Sequence, residues 1–149
     1  MSITATDLPR LEAFYRNALG FVHARPERSF SGEWLERGTG VPGASITRVH
    51  LRLPGDGEEA PRLEIIEYGE HAPDNRPPAA DRRGLRHIAF ETGSVGELNN
   101  LYHLVLEHGG GRLGTISSRE IEGMGIVTFV YMTDPEGNII ELQCRDERA

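Results

Sequence analysis

The strongest constraint on the fold is an internal repeat. Two helices with closely similar signatures lie in the two halves of the chain, each between one β-like run and three more. The first helix opens at Asp7, carries Pro9 in its first turn and stops at Gly20. Leu8, Leu11, Phe14, Tyr15 and Leu19 recur at helical spacing and give it one apolar face. The second opens with Ser94-Val95-Gly96-Glu97, a capping box. Leu98, Leu101, Tyr102 and Val105 form its stripe, and Gly109-Gly110-Gly111 ends it.

The runs around the helices give the order β-α-β-β-β twice. Ser2 to Thr6 precedes the first helix; Glu33 to Arg37, Ser45 to Leu53 and Arg62 to Tyr68 follow it. His87 to Glu91 precedes the second; Ile116 to Ile121, Ile126 to Met132 and Asn138 to Cys144 follow it. The expected fold class is therefore α+β, with βαβββ modules over residues 1–68 and 84–149. Residues 69–83, rich in Pro and charge, read as the linker. Superposing Asp7-Leu8 on Ser94-Val95 brings Glu64 near the equivalent of Glu141. On that register the partner of His87 falls just before Met1.

Composition narrows the function classes. A 38 % hydrophobic content supports a packed interior. No run of about 18 apolar residues suggests a membrane span, and no basic-then-apolar start suggests a secretory signal. The single cysteine, Cys144, has no internal disulfide partner, so a cytoplasmic location is expected. A formal net charge of −7 argues against nucleic acid and leaves small molecules as partners.

Strand alternation sorts side chains onto two faces. Val49, Leu51, Leu53, Leu63, Ile65, Ile88, Phe90, Val130, Met132, Ile140 and Leu142 form the apolar set, expected under the helices. The other set holds His50, Glu64, His87, Glu91, Tyr131 and Glu141. So many ionisable groups on one face point to a wet cleft or a bound cation. A hairpin symmetric about Glu136 pairs Tyr131 with Glu141 and Phe129 with Gln143, standing an aromatic wall beside the carboxylate. Trp34 either covers a ligand or packs. Glu64 has a plain alternative as an edge-strand acid paired with Arg52 or Arg62. His23, His71, His103, His108 and Glu67 are expected to be solvent-exposed. The glycine run at 109–111 is a helix stop, since no phosphate-loop helix follows it.

Three segments carry a family resemblance: Asp7-Leu8-Pro9-Arg10-Leu11-Glu12-Ala13-Phe14-Tyr15-Arg16-Asn17-Ala18-Leu19-Gly20-Phe21, His87-Ile88-Ala89-Phe90-Glu91, and Asp134-Pro135-Glu136-Gly137-Asn138 with Ile140-Glu141-Leu142. The chain resembles the vicinal oxygen chelate superfamily, which includes glyoxalases, bleomycin-resistance proteins and extradiol dioxygenases. The resemblance implies curved mixed sheets around a cleft, helices on the outer face, and a homodimer. It implies metal ligands at Glu64, His87 and Glu141, with no counterpart in the sequence for a fourth, a His of the first strand.

That gap admits three explanations: a start placed too far downstream, a substitute such as His50, or a site without metal. One His and two carboxylates suit a divalent ion, with Zn, Ni, Mn, Fe and Co all allowed. The resemblance then implies a metal-dependent lyase or isomerase of the glyoxalase/epimerase type, related to lactoylglutathione lyase. Glu64 or Glu141 would move a proton on a small carbonyl or hydroxyacid substrate. His50, Phe129, Tyr131 and Trp34 are the expected substrate contacts. The alternative is a non-catalytic drug- or antibiotic-binding protein of the bleomycin-resistance type. An extradiol dioxygenase ranks lower, because it needs two His and one Glu.

Overall fold

The computed structural model describes residues 1–55, 57, 60–70, 76 and 78–146. His71 lies outside the described residues. The chain divides into two compact units, Met1–Asn75 and Arg76–Ala149. The first contains β1 (Ser2–Ala5), α1 (Leu8–Leu19), β2 (Val22–Ser31), α2 (Glu33–Thr39), β3 (Ser45–Arg52) and β4 (Leu63–Tyr68). The second contains β5 (His87–Thr92), α3 (Val95–Glu107), β6 (Gly111–Arg112), β7 (Ser117–Ile121), β8 (Gly125–Thr133) and β9 (Ile139–Asp146).

Each unit builds one mixed sheet on the same plan. In the first the order is β1-β4-β3-β2; in the second it is β5-β9-β8, with β6 and β7 both pairing β8. The first strand of each unit runs parallel to the last, and the other pairs are antiparallel. The fold is α+β, two βαβββ modules. No helix among the described residues is long and apolar enough to cross a membrane.

The helix ends follow their sequence signals. Asp7 accepts a hydrogen bond from the Arg10 amide at 3.0 Å, and Gly20 closes α1 with φ of 75°. Ser94 accepts from the Glu97 amide at 3.1 Å, and Glu97 accepts in return from the Gly93 amide at 2.8 Å. Glu67, expected in solvent, is half-buried and accepts from the Leu8 amide at 2.7 Å, a second acceptor at the start of α1. The stripe of α3 is narrower than its sequence suggests: Leu98 and Val105 are buried, whereas Leu101 and Tyr102 are half-buried.

The segment read as a strand at Glu33 to Arg37 is a helix, α2, and the strand after α1 is Val22–Ser31 instead. Five residues are too few to separate a period of 2 from one of 3.6. The deciding groups lie outside the run: Gly32 with φ of 103° breaks the strand, and Gly40 with φ of 72° ends the helix. Strand β2 was hidden because it is an edge strand, exposed along most of its length and interrupted by Pro26.

The apolar faces are as alternation predicts. Val49, Leu51 and Ile65 in the first unit, and Val130, Met132, Ile140 and Leu142 in the second, are all buried. Each such side chain contributes roughly 1.5–3 kcal/mol through burial. Ile88 and Phe90 of β5 are only half-buried, and Leu53, which lies past the end of β3, is exposed. Helix α2 packs elsewhere. Its Leu35 joins Ala44, Ile46, Phe30, Ile66 and Tyr68. Cross-strand pairing puts Ile46, Ile66 and Tyr68 on the face that carries Glu64 and His50. An apolar cluster therefore covers one end of the polar face of the first sheet.

Candidate functional site

In the second unit the β8–β9 turn sets the geometry. Asp134 is buried, and its Oδ1 accepts from the amides of Glu136 and Asn138, each at 2.9 Å. Its Oδ2 accepts from Asn138 Nδ2 at 2.8 Å. The turn so held pairs Tyr131 with Glu141 and Phe129 with Gln143, the register that symmetry about Glu136 requires. On the other side of β9, Ala89 lies opposite Glu141. His87, two residues before Ala89, shares its face, and His87 Nε2 lies 3.1 Å from Glu141 Oε2.

Aromatic rings stand beside this pair. Tyr131 lies 5.0 Å from the His87 ring, tilted by 35°, and Phe129 meets Tyr131 edge-on at 5.8 Å. Phe129 is 39 % exposed, a wall residue and not core. Burial raises the Tyr131 phenol above its ordinary value, and the Glu141 carboxylate raises it further. With Nε2 unprotonated, His87 and Glu141 present two lone-pair donors 3.1 Å apart. Ligands bonded at 2.0–2.2 Å to one divalent ion lie about 2.8–3.1 Å from each other at right angles and about 3.3–3.6 Å in a tetrahedron.

The first unit holds a cluster at the equivalent place. Glu64 sits on the last strand, opposite Ser2 of β1 and His50 of β3. His50 therefore occupies the position that Tyr131 occupies in the second unit. His50 Nε2 lies 3.3 Å from Glu64 Oε1, and Arg48 Nη1 donates to the same oxygen at 2.6 Å. Glu64 is not an edge-strand acid paired with Arg52 or Arg62: β4 lies between β1 and β3, and its ion-pair partner is Arg48. Arg48 also lies over the Phe30 ring, 4.9 Å from its centroid.

Burial lowers the His50 pKa below 6.5; Glu64 opposes this, and Arg48, Arg25 and Arg62 lower it further. As pH falls through the unfolded value, the unfolded chain takes up a proton that folded His50 resists. The contribution of neutral His50 is thus present above about pH 6.5 and declines as pH drops toward the folded value. Urea unfolding should show the wild type losing stability between about pH 7 and pH 5 relative to His50→Gln. A difference that does not change with pH would show that His50 is not held neutral.

The structure brings His87, Glu141, Tyr131 and Phe129 together in one unit, and Glu64 and His50 in the other. Trp34 is 60 % exposed on α2, its ring edge-on to Phe30 at 5.9 Å. Glu91 lies 3.8 Å from Arg145 at the surface. Among the described residues, no group of three or more His, Cys, Asp or Glu forms a metal-holding cluster. Arg48 was missed in the sequence, although it stands two residues before His50 and so shares its face. A cavity of about 280 Å³ near the ends of β2, β3 and β4 includes Ser29, Ser31, Thr47 and Glu67 in its lining. These four alternate to the face opposite Glu64, whereas Phe30, Ile46 and Tyr68, which also line the cavity, lie on the Glu64 face at the end covered by α2.

Solved structures with this fold come from several organisms. A glyoxalase family protein from Bacillus cereus matches with a TM-score of 0.78 at 20 % identity, over 97 % of this chain and 91 % of that one. A glyoxylase/bleomycin resistance protein/dioxygenase domain from Frankia sp. EAN1pec matches at 0.62 and 17 % identity, over 98 % and 94 %. A glyoxalase I mutant from Zea mays matches at 0.63 and 19 % identity, over 97 % of this chain and 44 % of that longer one. At these identities the likeness concerns the fold alone. No curated protein matches the sequence. The family model described as Glyoxalase/Bleomycin resistance protein/Dioxygenase superfamily matches residues 1–142, and the chain belongs to that superfamily.

Proposed function

We propose that the protein is a lyase or isomerase of the glyoxalase/epimerase type, moving a proton on a small carbonyl or hydroxyacid substrate. The observation that carries the reading is the His87–Glu141 pair, two donors spaced for one divalent ion beside an aromatic wall. These two residues fit such an ion. Glu64 does not fit as it stands, because a guanidinium already occupies its Oε1. A bound ion would polarise a substrate carbonyl or enolate oxygen. Glu141 would then take and return the proton of the neighbouring carbon. Tyr131, kept protonated, can donate a hydrogen bond to a substrate oxygen, while Phe129 and the His87 ring offer aromatic surface beside it. The reading carries a homodimer and a cytoplasmic location with it, the latter in keeping with a free, buried Cys144.

The second reading, a non-catalytic small-molecule binder, is favoured by one observation: Arg48 holds the carboxylate that the family resemblance makes a metal ligand. Two measurements separate them. Purified protein should carry about one equivalent of Zn, Ni, Mn, Fe or Co per chain, lost in His87→Ala. It should also exchange the α-proton of some α-hydroxyacids or α-ketoaldehyde hemithioacetals with deuterated water. Protein that binds these compounds with no metal and no exchange is the binder.

A further inference from the structure

The polar face of the first sheet breaks a local rule. Arg28 of β2 lies directly opposite Arg48 of β3, and Arg25 lies opposite His50. Like charges directly across a strand pair repel. The chain as a whole is acidic, with a formal net charge of −7. Around Glu64, by contrast, stand Arg48, Arg25, Arg28 and His50, with Arg62 near enough to act on His50. Arg25 and Arg28 form no ion pair among the described residues. Among the described residues, Glu64 alone does not balance Arg48, Arg25 and Arg28.

Two further features place the cations deliberately. Strand β2 shifts register between His23 and Arg25 and again between Arg25 and Arg28. Bulges of this kind turn side chains at sheet edges and beside functional sites. Arg48 is also fixed from two sides, by Glu64 at its Nη1 and by Phe30 against its plane. Its Nε is buried and makes no hydrogen bond, while the side chain as a whole stays about one-third exposed and leaves Nη2 as the arm that can meet a ligand. A guanidinium immobilised in this way is pre-organised, and its planar fork matches an oxyanion.

We propose that the polar face of the first unit binds the oxyanion group of a small acidic ligand, a carboxylate or a phosphate. Arg48 is the anchor, and Arg25 and Arg28 are the flanking charges. Glu64 then acts as the residue that orients Arg48. As a statement about substrate this rests on the proposed enzyme reading; as a statement about binding it stands alone.

Calorimetric titration of the full chain with inorganic phosphate, and separately with glycolate, tests it at constant ionic strength balanced with chloride. One anion per chain should bind. Arg48→Lys should weaken binding about tenfold, because the charge stays and the fork is lost. A double variant, Arg25→Gln with Arg28→Gln, should weaken it roughly threefold to tenfold, both side chains being exposed and not needed for folding. Arg10→Gln, on α1, should change nothing. Phosphate binding more tightly than glycolate would assign a phosphorylated ligand, and the reverse a carboxylic acid. Titrations no different from chloride, or unchanged in the double variant, would overturn the proposal. Neither outcome touches metal binding at His87 and Glu141, which fails or holds on its own measurement.

Discussion

Asp134→Ala should lower the stability of the protein by about 3 kcal/mol and loosen the candidate site with it. The carboxylate is 2 % exposed and accepts three hydrogen bonds from the turn that follows it. Each hydrogen bond to a charged group contributes about 1.5–3 kcal/mol, and part is recovered because the half-buried turn can meet water. For a chain of this length that is a fall in melting temperature of roughly 6–12 °C. The turn also fixes the register of β8 on β9. A slip of one residue would carry Tyr131, Phe129 and Glu141 to the face now held by Val130, Met132 and Ile140. Asp134→Asn keeps one acceptor oxygen and should lose about half as much. A variant as stable as the wild type would show that the apolar faces alone set the register.

Much of this was legible in the sequence, for reasons of local chemistry. The caps of α1 and α3 lie within four residues of the groups they bond, so they can be read one segment at a time. The pairing of Tyr131 with Glu141 follows from a turn whose centre is visible. Hydrophobic alternation assigned the buried faces of β3, β4, β8 and β9, because a period of 2 survives tertiary packing.

What stayed hidden depends on contacts between segments. Strand β2 has no apolar alternation, since an edge strand with both faces largely wet needs none. Helix α2 is decided by glycines at its ends and by the packing of Leu35. Glu67 was placed in solvent because its acceptor role depends on the start of α1, 59 residues away. Arg48 could have been found from its two-residue spacing to His50. Arg25 and Arg28 could not, because their facing depends on register shifts in a strand the sequence does not announce.

Glu141→Gln and Glu64→Gln should behave differently, although the two carboxylates hold equivalent places in their sheets. Among the described residues Glu141 pairs with an imidazole alone, and on the proposed reading its loss removes one of two donors to the ion. Residues that only support a ligand cost ten- to a hundredfold in affinity when altered, so a direct ligand should cost on the order of a hundredfold or more. Proton exchange should fall with it. Glu64 is held by Arg48 at 2.6 Å and by His50 at 3.3 Å, and neither contact is that of a free ligand. Glu64→Gln should leave metal content unchanged and cost about 1–3 kcal/mol of stability, because a half-buried guanidinium loses its counter-charge. It should also weaken phosphate or glycolate binding, because Arg48 loses the charge that orients its guanidinium. Metal analysis, urea unfolding and anion titration on the two variants decide the matter. Loss of metal in Glu64→Gln would show that Glu64 is a ligand and would overturn its assignment as the partner of Arg48.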